Sequence, residues 1–451
     1  MSHALHKPLP SLRFHLRKNR RMLFSPNAWR VRLVFWAGAV LVGGLCALFA
    51  LLADQAGNVF RLLVAQGHWV PLVTTPLVMI LLAWATRNLF PGSQGSGIPQ
   101  AIASLFSKRK GTVLSLRIAM GKILLTLAGL AVGASIGREG PSVHIGASVM
   151  YSLGRLARFP AHYMERNLIL AGAAAGIAAA FNTPLAGIVF AIEEMSKRFT
   201  QRSSGIVTIA VVIAGVTALT TLGHYHYFGT SYASMGSMTD WLAVPVCGVV
   251  GGLLGGLFAT ALIQGAHRLA SVARSHPYLL ALGCGLAVAG IGYLSGYTSS
   301  GTGYEAAKTV ITGEAAWDPV YPVTKFFSTL ASYLSGIPGG IFAPSLATGA
   351  GVGADLGHWL PVAPMSVMVL LGMVGYFAGV VQSPLTAFVI VMEMTNDQEM
   401  LLPLIVTSFI AFGVSHLVCP HPIYHALARA FLGKEAKKEQ PEAAPPATEK
   451  A

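Results

Sequence analysis

Gly137-Arg138-Glu139-Gly140-Pro141-Ser142-Val143-His144-Ile145-Gly146-Ala147 returns 203 positions on as Gly340-Ile341-Phe342-Ala343-Pro344-Ser345-Leu346-Ala347-Thr348-Gly349-Ala350. Gly, Pro, Ser, Gly and Ala fall at the same five places, and Glu139 falls opposite Phe342. Working outward, Gly95-Ser96-Gly97 returns as Gly301-Thr302-Gly303, 206 positions on. Gly172, Ala178, Pro184, Leu185, Val189 and Glu193 return as Gly372, Ala378, Pro384, Leu385, Val389 and Glu393, all 200 positions on. Apolar helices rich in Gly and Ala resemble one another without any duplication. A matched Pro and a matched Glu, in one order with a slowly drifting offset, favour duplication, since acids are rare in membranes. Two copies of one Gly-rich segment, one with a carboxylate, suggest a binding site where two halves meet.

Hydrophobic residues make up 54% of the chain and charged residues 11%, against roughly 45–50% and 25% in soluble domains. Apolar runs close to the membrane-spanning length of about 20 residues lie at 31–52, 69–89, 206–222, 241–263, 279–294 and 401–418. Shorter apolar pieces between residues 114 and 192 and between 320 and 392 are broken by Gly and Pro. They read as partial or tilted helices. The expected fold is an all-α polytopic membrane protein, with a basic arm at 1–30, membrane repeats at 31–225 and 226–432, and a short tail at 433–451. Paired Gly/Pro-interrupted segments in duplicated halves point to a transporter with its site near mid-membrane.

The formal charge of +14 does not call for a nucleic-acid partner, because the cations cluster at the ends of apolar segments. Arg13, Arg17, Lys18, Arg20, Arg21, Arg30 and Arg32 precede or open the first span; Lys108, Arg109 and Lys110 share one loop; Lys197, Arg198 and Arg202 share another. The positive-inside rule places these groups on the cytoplasmic face. The first 30 residues are too basic and too long for a cleaved signal peptide and read as a cytoplasmic arm. Cys46, Cys247, Cys284 and Cys419 lack pair spacing and read as small core residues, so neither a disulfide nor a metal or other cofactor is expected.

The broken segments favour an anion. A helix that begins inside a membrane presents unpaired N–H groups and the positive end of its dipole. Gly allows close backbone approach, and Pro fits the first turn, where its missing N–H costs nothing. The stretches 95–99, 137–141 and 339–344 all have this form. Several such N-termini at one point would bind an anion without a full positive charge and still release it.

With these residues in view, the chain resembles the CLC chloride channels and proton-coupled chloride antiporters, over about residues 33 to 431. Gly95 to Gln100 matches the family signature GSGIPE except at its last residue. Gly137 to Pro141 matches GREGP, and Gly340-Ile341-Phe342-Ala343-Pro344 matches GxFxP. Ala179 to Gly187, leading into Glu193-Glu194, and Tyr424 in Pro422-Ile423-Tyr424 match further family positions. The resemblance implies an inverted repeat with tilted helices meeting at a mid-membrane anion site. It also implies a homodimer with a pore in each subunit, carrying chloride and protons through the lipid bilayer. Carried over by motif, Ser96 and Tyr424 offer hydroxyls to a central chloride, and the backbone N–H groups of Ile341 and Phe342 complete its shell. Glu139 is then the external gate, whose carboxylate competes with the anion. Glu194 is the internal proton-transfer residue that distinguishes antiporters from passive voltage- or pH-gated channels, the alternative reading. The bacterial cytoplasmic membrane is the expected location, with both termini cytoplasmic and no room after residue 432 for the regulatory nucleotide-binding domains of eukaryotic relatives.

Blander readings stand beside these. Ser96 could cap a helix, and Tyr424 could be an interfacial aromatic. Glu193, matched by Glu393, reads as a structural helix-end residue, whereas Glu194, opposite Met394, breaks the symmetry. Arg138 reads as a backbone or surface partner. His421 and His425, four apart, suggest a partly exposed tail more than a metal pair. Gln100 and Ile102 stand where family members carry acids, which leaves Lys122 in need of another partner, a carbonyl cage or a lowered affinity for its proton. An intramembrane hydrolase built on Ser142 and His144 is the rival of a different class. Their i,i+2 spacing puts them on different helix faces, and no third group orients them.

Overall fold

The computed structural model describes residues 26–107, 110–157, 163–195, 201–223, 228, 233–314 and 317–439. Arg13, Arg17, Lys18, Arg20 and Arg21 of the basic arm lie outside the described residues, as do Lys108, Arg109, Lys197, Arg198, the side chain of Arg202, the repeat boundary at 225/226 and residues 440–451 of the tail. Among the described residues the chain forms α1 (Pro26–Gln66), α2 (Val70–Asn88), α3 (Ile98–Phe106), α4 (Leu116–Leu130), α5 (Glu139–Leu156), α6 (Tyr163–Phe181), α7 (Pro184–Phe190), α8 (Gln201–Leu222) and α9 (Ala243–Arg268). There follow α10 (Ala270–Ser275), α11 (Pro277–Leu294), α12 (Tyr304–Ile311), α13 (Tyr321–Leu334), α14 (Phe342–Trp359), α15 (Met365–Val381), α16 (Pro384–Thr395), α17 (Leu401–Val418) and α18 (Ile423–Glu439).

Seven helical stretches among the described residues are long and apolar enough to cross a membrane. Six fall on the runs read from the sequence. The seventh, Lys110–Leu130, was expected only as a partial piece; Gly121 and Gly129 do not break it. Lys110 was expected in a loop, and it opens the short turn Lys110–Thr112 between α3 and α4 without being solvated. It is instead nearly buried and paired with Glu165 at 3.1 Å.

The glycines of the repeated frame are packing residues as well as site residues. Across the α5–α6 contact, a Cβ on Gly146 would collide with the Gly172 carbonyl oxygen. Across α14–α15, a Cβ on Gly349 would come within 2.7 Å of the Gly372 carbonyl oxygen. Helices in lipid have no hydrophobic drive to associate, so close approach at small residues supplies the attraction. The same contact recurs in both halves, which explains the matched glycines away from the helix starts. Glu139 to Tyr151 and Phe342 to Gly357 are buried throughout. These helices therefore sit inside the bundle, not against lipid.

The turn from α6 to α7 and that from α15 to α16 are also copies. Asn182 and Gln382 both take φ +57°, end the preceding helix, and are followed after one residue by Pro184 or Pro384 at the first position of the next. Pro at that place loses no hydrogen bond. These two interruptions keep α7 and α16 as separate short helices inside the bundle.

Candidate functional site

Three helix starts are tied together by backbone pairing. Gly137 and Gly340 exchange two N–H···O bonds of 2.7 Å each, an antiparallel bridge. Gly95 accepts from Gly339 at 3.3 Å and donates to Ile337 at 3.2 Å. The N-termini of α3, α5 and α14 are thereby held at one seam between the halves. Approach is so close that a Cβ on Gly140 would collide with the Ser96 hydroxyl, and one on Gly340 would lie 3.0 Å from the Gly140 nitrogen. Pro99, Pro141 and Pro344 all stand within the first three positions of their helices.

Ser96 is fully buried, and its hydroxyl has no hydrogen-bond partner among the described residues. It does not cap α3; Gly97, at φ +107°, holds that place without a side-chain bond. The counterpart Thr302 has lost this freedom, because its hydroxyl accepts the Tyr304 N–H at 3.2 Å. Tyr424, in the first turn of α18, is likewise fully buried with an unpartnered hydroxyl. Its ring stacks on Phe342 at 5.8 Å between centroids, and Phe342 also meets Phe377 at 4.8 Å. Ile341 precedes α14 and Phe342 begins it, so the N–H groups of both fall among those a helix leaves unsatisfied at its start. A buried hydroxyl left without a partner costs about 1–3 kcal/mol. Two of them beside converging helix N-termini present donors toward one place, and an anion is the acceptor that helix dipoles favour.

Glu139 opens α5 and is wholly buried. One of its carboxylate oxygens lies where a Cβ on Gly137 would have to stand. A negative group at a helix start is in its favoured position. The neighbouring Arg138 turns away and donates to the Ala50 carbonyl at 2.8 Å and to Asp54 at 2.9 Å.

Glu194 is buried in the π-helical turn Ala191–Met195. Ser383 donates to its carboxylate at 2.5 Å. His425 lies 3.1 Å from its backbone oxygen and 3.9 Å from its carboxylate. His425 is partly exposed, as expected, and is also a neighbour of Glu194. Among the described residues no group of three metal-ligating side chains occurs. Glu193, adjacent in sequence, faces elsewhere: its carboxylate accepts the backbone N–H groups of Leu385 at 3.1 Å and Thr386 at 2.7 Å.

Lys122 is wholly buried and donates to the carbonyls of Ser93, Gln94 and Gly95 at 2.8, 3.3 and 2.9 Å. The carbonyl cage is thus the arrangement adopted, and Gln100 joins it by donating to the Gln94 carbonyl at 2.6 Å. Lys325 repeats the motif on Ser299, Ser300 and Gly301 at 3.0, 3.3 and 2.8 Å. Burying an ammonium costs several kcal/mol, and three bonds from a charged donor offset roughly 1.5–3 kcal/mol each. The cages hold the loops that lead into α3 and α12. The sequence reading missed Lys325, although it follows Lys122 by the same 203 positions that separate Gly137 from Gly340. It also missed Ser383, although that residue follows Thr183 by the same 200 positions that separate Pro184 from Pro384, and Tyr333, whose hydroxyl lies against the backbone of Ser96 and which carries no spacing signal.

Ser142 and His144 are not a catalytic pair. Ser142 donates to the Arg138 carbonyl at 2.9 Å, and His144 bonds the Val113 carbonyl at 2.9 Å with Nε2.

Residues 77–416 match the family model described as voltage gated chloride channel. Three solved structures are similar to this chain. A slow cyanobacterial Cl⁻/H⁺ antiporter matches with a TM-score of 0.78 and 24% identity, over 89% of this chain and 99% of its own. A CLC-type fluoride/proton antiporter matches with a TM-score of 0.74 and 23% identity, over 88% and 96%. A eukaryotic CLC transporter matches with a TM-score of 0.74 and 20% identity, over 89% and 74%. At these identities the structural likeness speaks to the fold alone.

Proposed function

The chain belongs to the voltage gated chloride channel (CLC) family of membrane anion transporters, and within it we propose that this protein is a chloride/proton antiporter. The observation that carries the reading is the pair of buried, unpartnered hydroxyls of Ser96 and Tyr424 beside three joined helix N-termini. Hydroxyl and amide donors with no full charge in direct contact suit a small anion that must leave again. Chloride sits between Ser96 and Tyr424, with the N–H groups of Ile341 and Phe342 completing its shell.

Glu139 and Glu194 divide the proton's work. A carboxylate at the start of α5 occupies a position where an anion is also favoured, so ion and side chain replace one another; protonation removes the competition and opens the anion's way. Glu194, held by Ser383 away from the seam, passes protons to the opposite face by a route that leaves the anion path aside. An acid kept inside a membrane is costly and is usually functional. Solved structures of this fold include a Cl⁻/H⁺ antiporter and a fluoride/proton antiporter, so fluoride is the ion against which the chloride proposal is tested. The same family reading supports a homodimer with one pore per subunit in the bacterial cytoplasmic membrane, with its basic loops and both termini on the cytoplasmic side.

Reconstitution into liposomes under combined chloride and proton gradients tests the whole reading. An antiporter gives a reversal potential displaced from the chloride equilibrium value by the proton gradient. A reversal potential that follows chloride alone identifies a passive channel, and flux of fluoride without chloride overturns the substrate.

A further inference from the structure

Lys122 is wholly buried, and among the described residues no carboxylate pairs with it; the ion pairs among them are Lys110 with Glu165, Arg138 with Asp54, and His425 with Glu194. Its three donors are spent on neutral carbonyls, which share its charge but do not cancel it. The last of those carbonyls belongs to Gly95, one residue before the unpartnered hydroxyl of Ser96. Gln100 stands beside the cage, and its amide nitrogen and the ammonium share the Gln94 oxygen as acceptor. The two nitrogens therefore lie within about 6 Å of each other, a range at which an opposite charge strongly favours the ionised form.

We propose that Lys122 is the fixed positive charge of the Ser96 site and that the transported anion itself is its counter-charge, a role left open because residue 100 is Gln and not an acid. This rests on the anion-site reading given above. An anion entering beside Ser96 neutralises a buried charge that nothing else neutralises, so anion affinity and the charge on Lys122 are coupled, and the coupling is reciprocal. Lys325 provides the contrast within the same molecule. Its cage is equivalent, but the hydroxyl at the Ser96 position belongs to Thr302 and is consumed by the Tyr304 N–H. The second copy of the loop thus keeps the charge without the donor and is not a binding site. Lys122 acts as a positioning and affinity-setting residue; it does not touch the anion.

Calorimetric titration of the purified full-length protein with chloride, from a chloride-free buffer, tests the proposal. Gln100→Glu supplies the missing counter-charge and weakens chloride binding by roughly tenfold, within the ordinary range of coupling between sites. Gln100→Met removes the bond to the Gln94 carbonyl but adds no charge, and its affinity stays within about twofold of wild type, a difference too small for a lost charge. Wild-type affinity in Gln100→Glu overturns the proposal and leaves the anion site standing. Equal losses in the Glu and Met variants also overturn it, since loop geometry and not charge would then set affinity. Absence of chloride binding in the wild type overturns the anion-site reading itself. If Gln100→Glu does not elute as a folded species, Lys122→Met reads the same charge from the other side. It must lose a similar factor in affinity, and unchanged binding there is equally fatal.

Discussion

Glu193 and Glu393 cap each other's helices across the two halves of the protein. Glu193 accepts the N–H groups of Leu385 and Thr386 at the start of α16, the helix that carries Glu393. Glu393 accepts those of Leu185 at 3.1 Å and Ala186 at 2.7 Å at the start of α7, the helix that leads into Glu193. Such reciprocity, in which i meets j and its copy meets j's copy, is what a two-fold relation between the halves produces. Ser383 and Thr183 hold the N-cap places but make no capping bond, so these helix starts depend on the other half.

The first prediction concerns stability. Glu193→Gln keeps one acceptor oxygen and turns an NH2 group toward backbone donors. One capping bond is lost and one donor is left facing another, at a cost of about 1–3 kcal/mol. Glu393→Gln loses a comparable amount. Thermal unfolding in detergent should show both midpoints lowered, with proton coupling retained in whatever protein remains folded. A variant of normal stability that transports chloride without protons would move Glu193 from the framework to the proton route.

The second concerns gating. Glu139→Gln has the shape and charge of the protonated gate, so anion flux persists and proton movement is abolished. Parallel chloride-efflux and pH recordings on liposomes check this. Uphill proton transport driven by a chloride gradient in the variant would show that the carboxylate at the head of α5 is not the gate.

The third separates proton from anion traffic. Glu194→Gln should remove proton coupling while chloride still passes. Ser383→Ala deletes the 2.5 Å bond to that carboxylate and, at roughly 1.5–3 kcal/mol for a hydrogen bond to a charged group, should alter the pH dependence of coupled transport without ending it. Identical pH profiles in Ser383→Ala and wild type would mean that Ser383 does not tune Glu194.

The fourth concerns selectivity. Ser96→Pro removes the unpartnered hydroxyl and a backbone N–H. Fewer donors penalise a compact, strongly hydrated anion more than a large, weakly hydrated one, since donor number and geometry set preference. Nitrate transport should rise relative to chloride, with better proton coupling in nitrate. Paired flux assays decide it: an unchanged ratio removes Ser96 from ion recognition, and a wild type that already prefers nitrate gives Gln100 the larger part.

Much of the fold was legible because its signals are local or periodic. Six spans could be read from apolar length alone. The seventh was obscured because Gly121 and Gly129 look like breaks, yet their missing side chains admit Phe90 and Ile136. The repeated frame disclosed the helix starts and the internal symmetry, since Gly and Pro at fixed places are demanded by backbone geometry. Charge was read less well. The partners of Lys110 and His425 were not legible: Lys110 pairs with Glu165, and the partly exposed His425 lies against Glu194, because a charged residue's sequence neighbours do not reveal what folds over it.

The sequence by itself determined that the chain is a duplicated, membrane-spanning bundle with Gly-rich helix starts, because hydropathy, helix-start chemistry and repeat spacing are properties of contiguous residues. Only the tertiary structure decided which polar groups remain unsatisfied. Ser96 and Thr302 occupy matching places in matching loops, yet one hydroxyl is unpartnered and the other is consumed. Lys122 is surrounded by carbonyls, and among the described residues no acid pairs with it. These outcomes depend on groups brought from distant segments to within about 3 Å, the reach of a hydrogen bond, and a linear pattern carries no record of that distance.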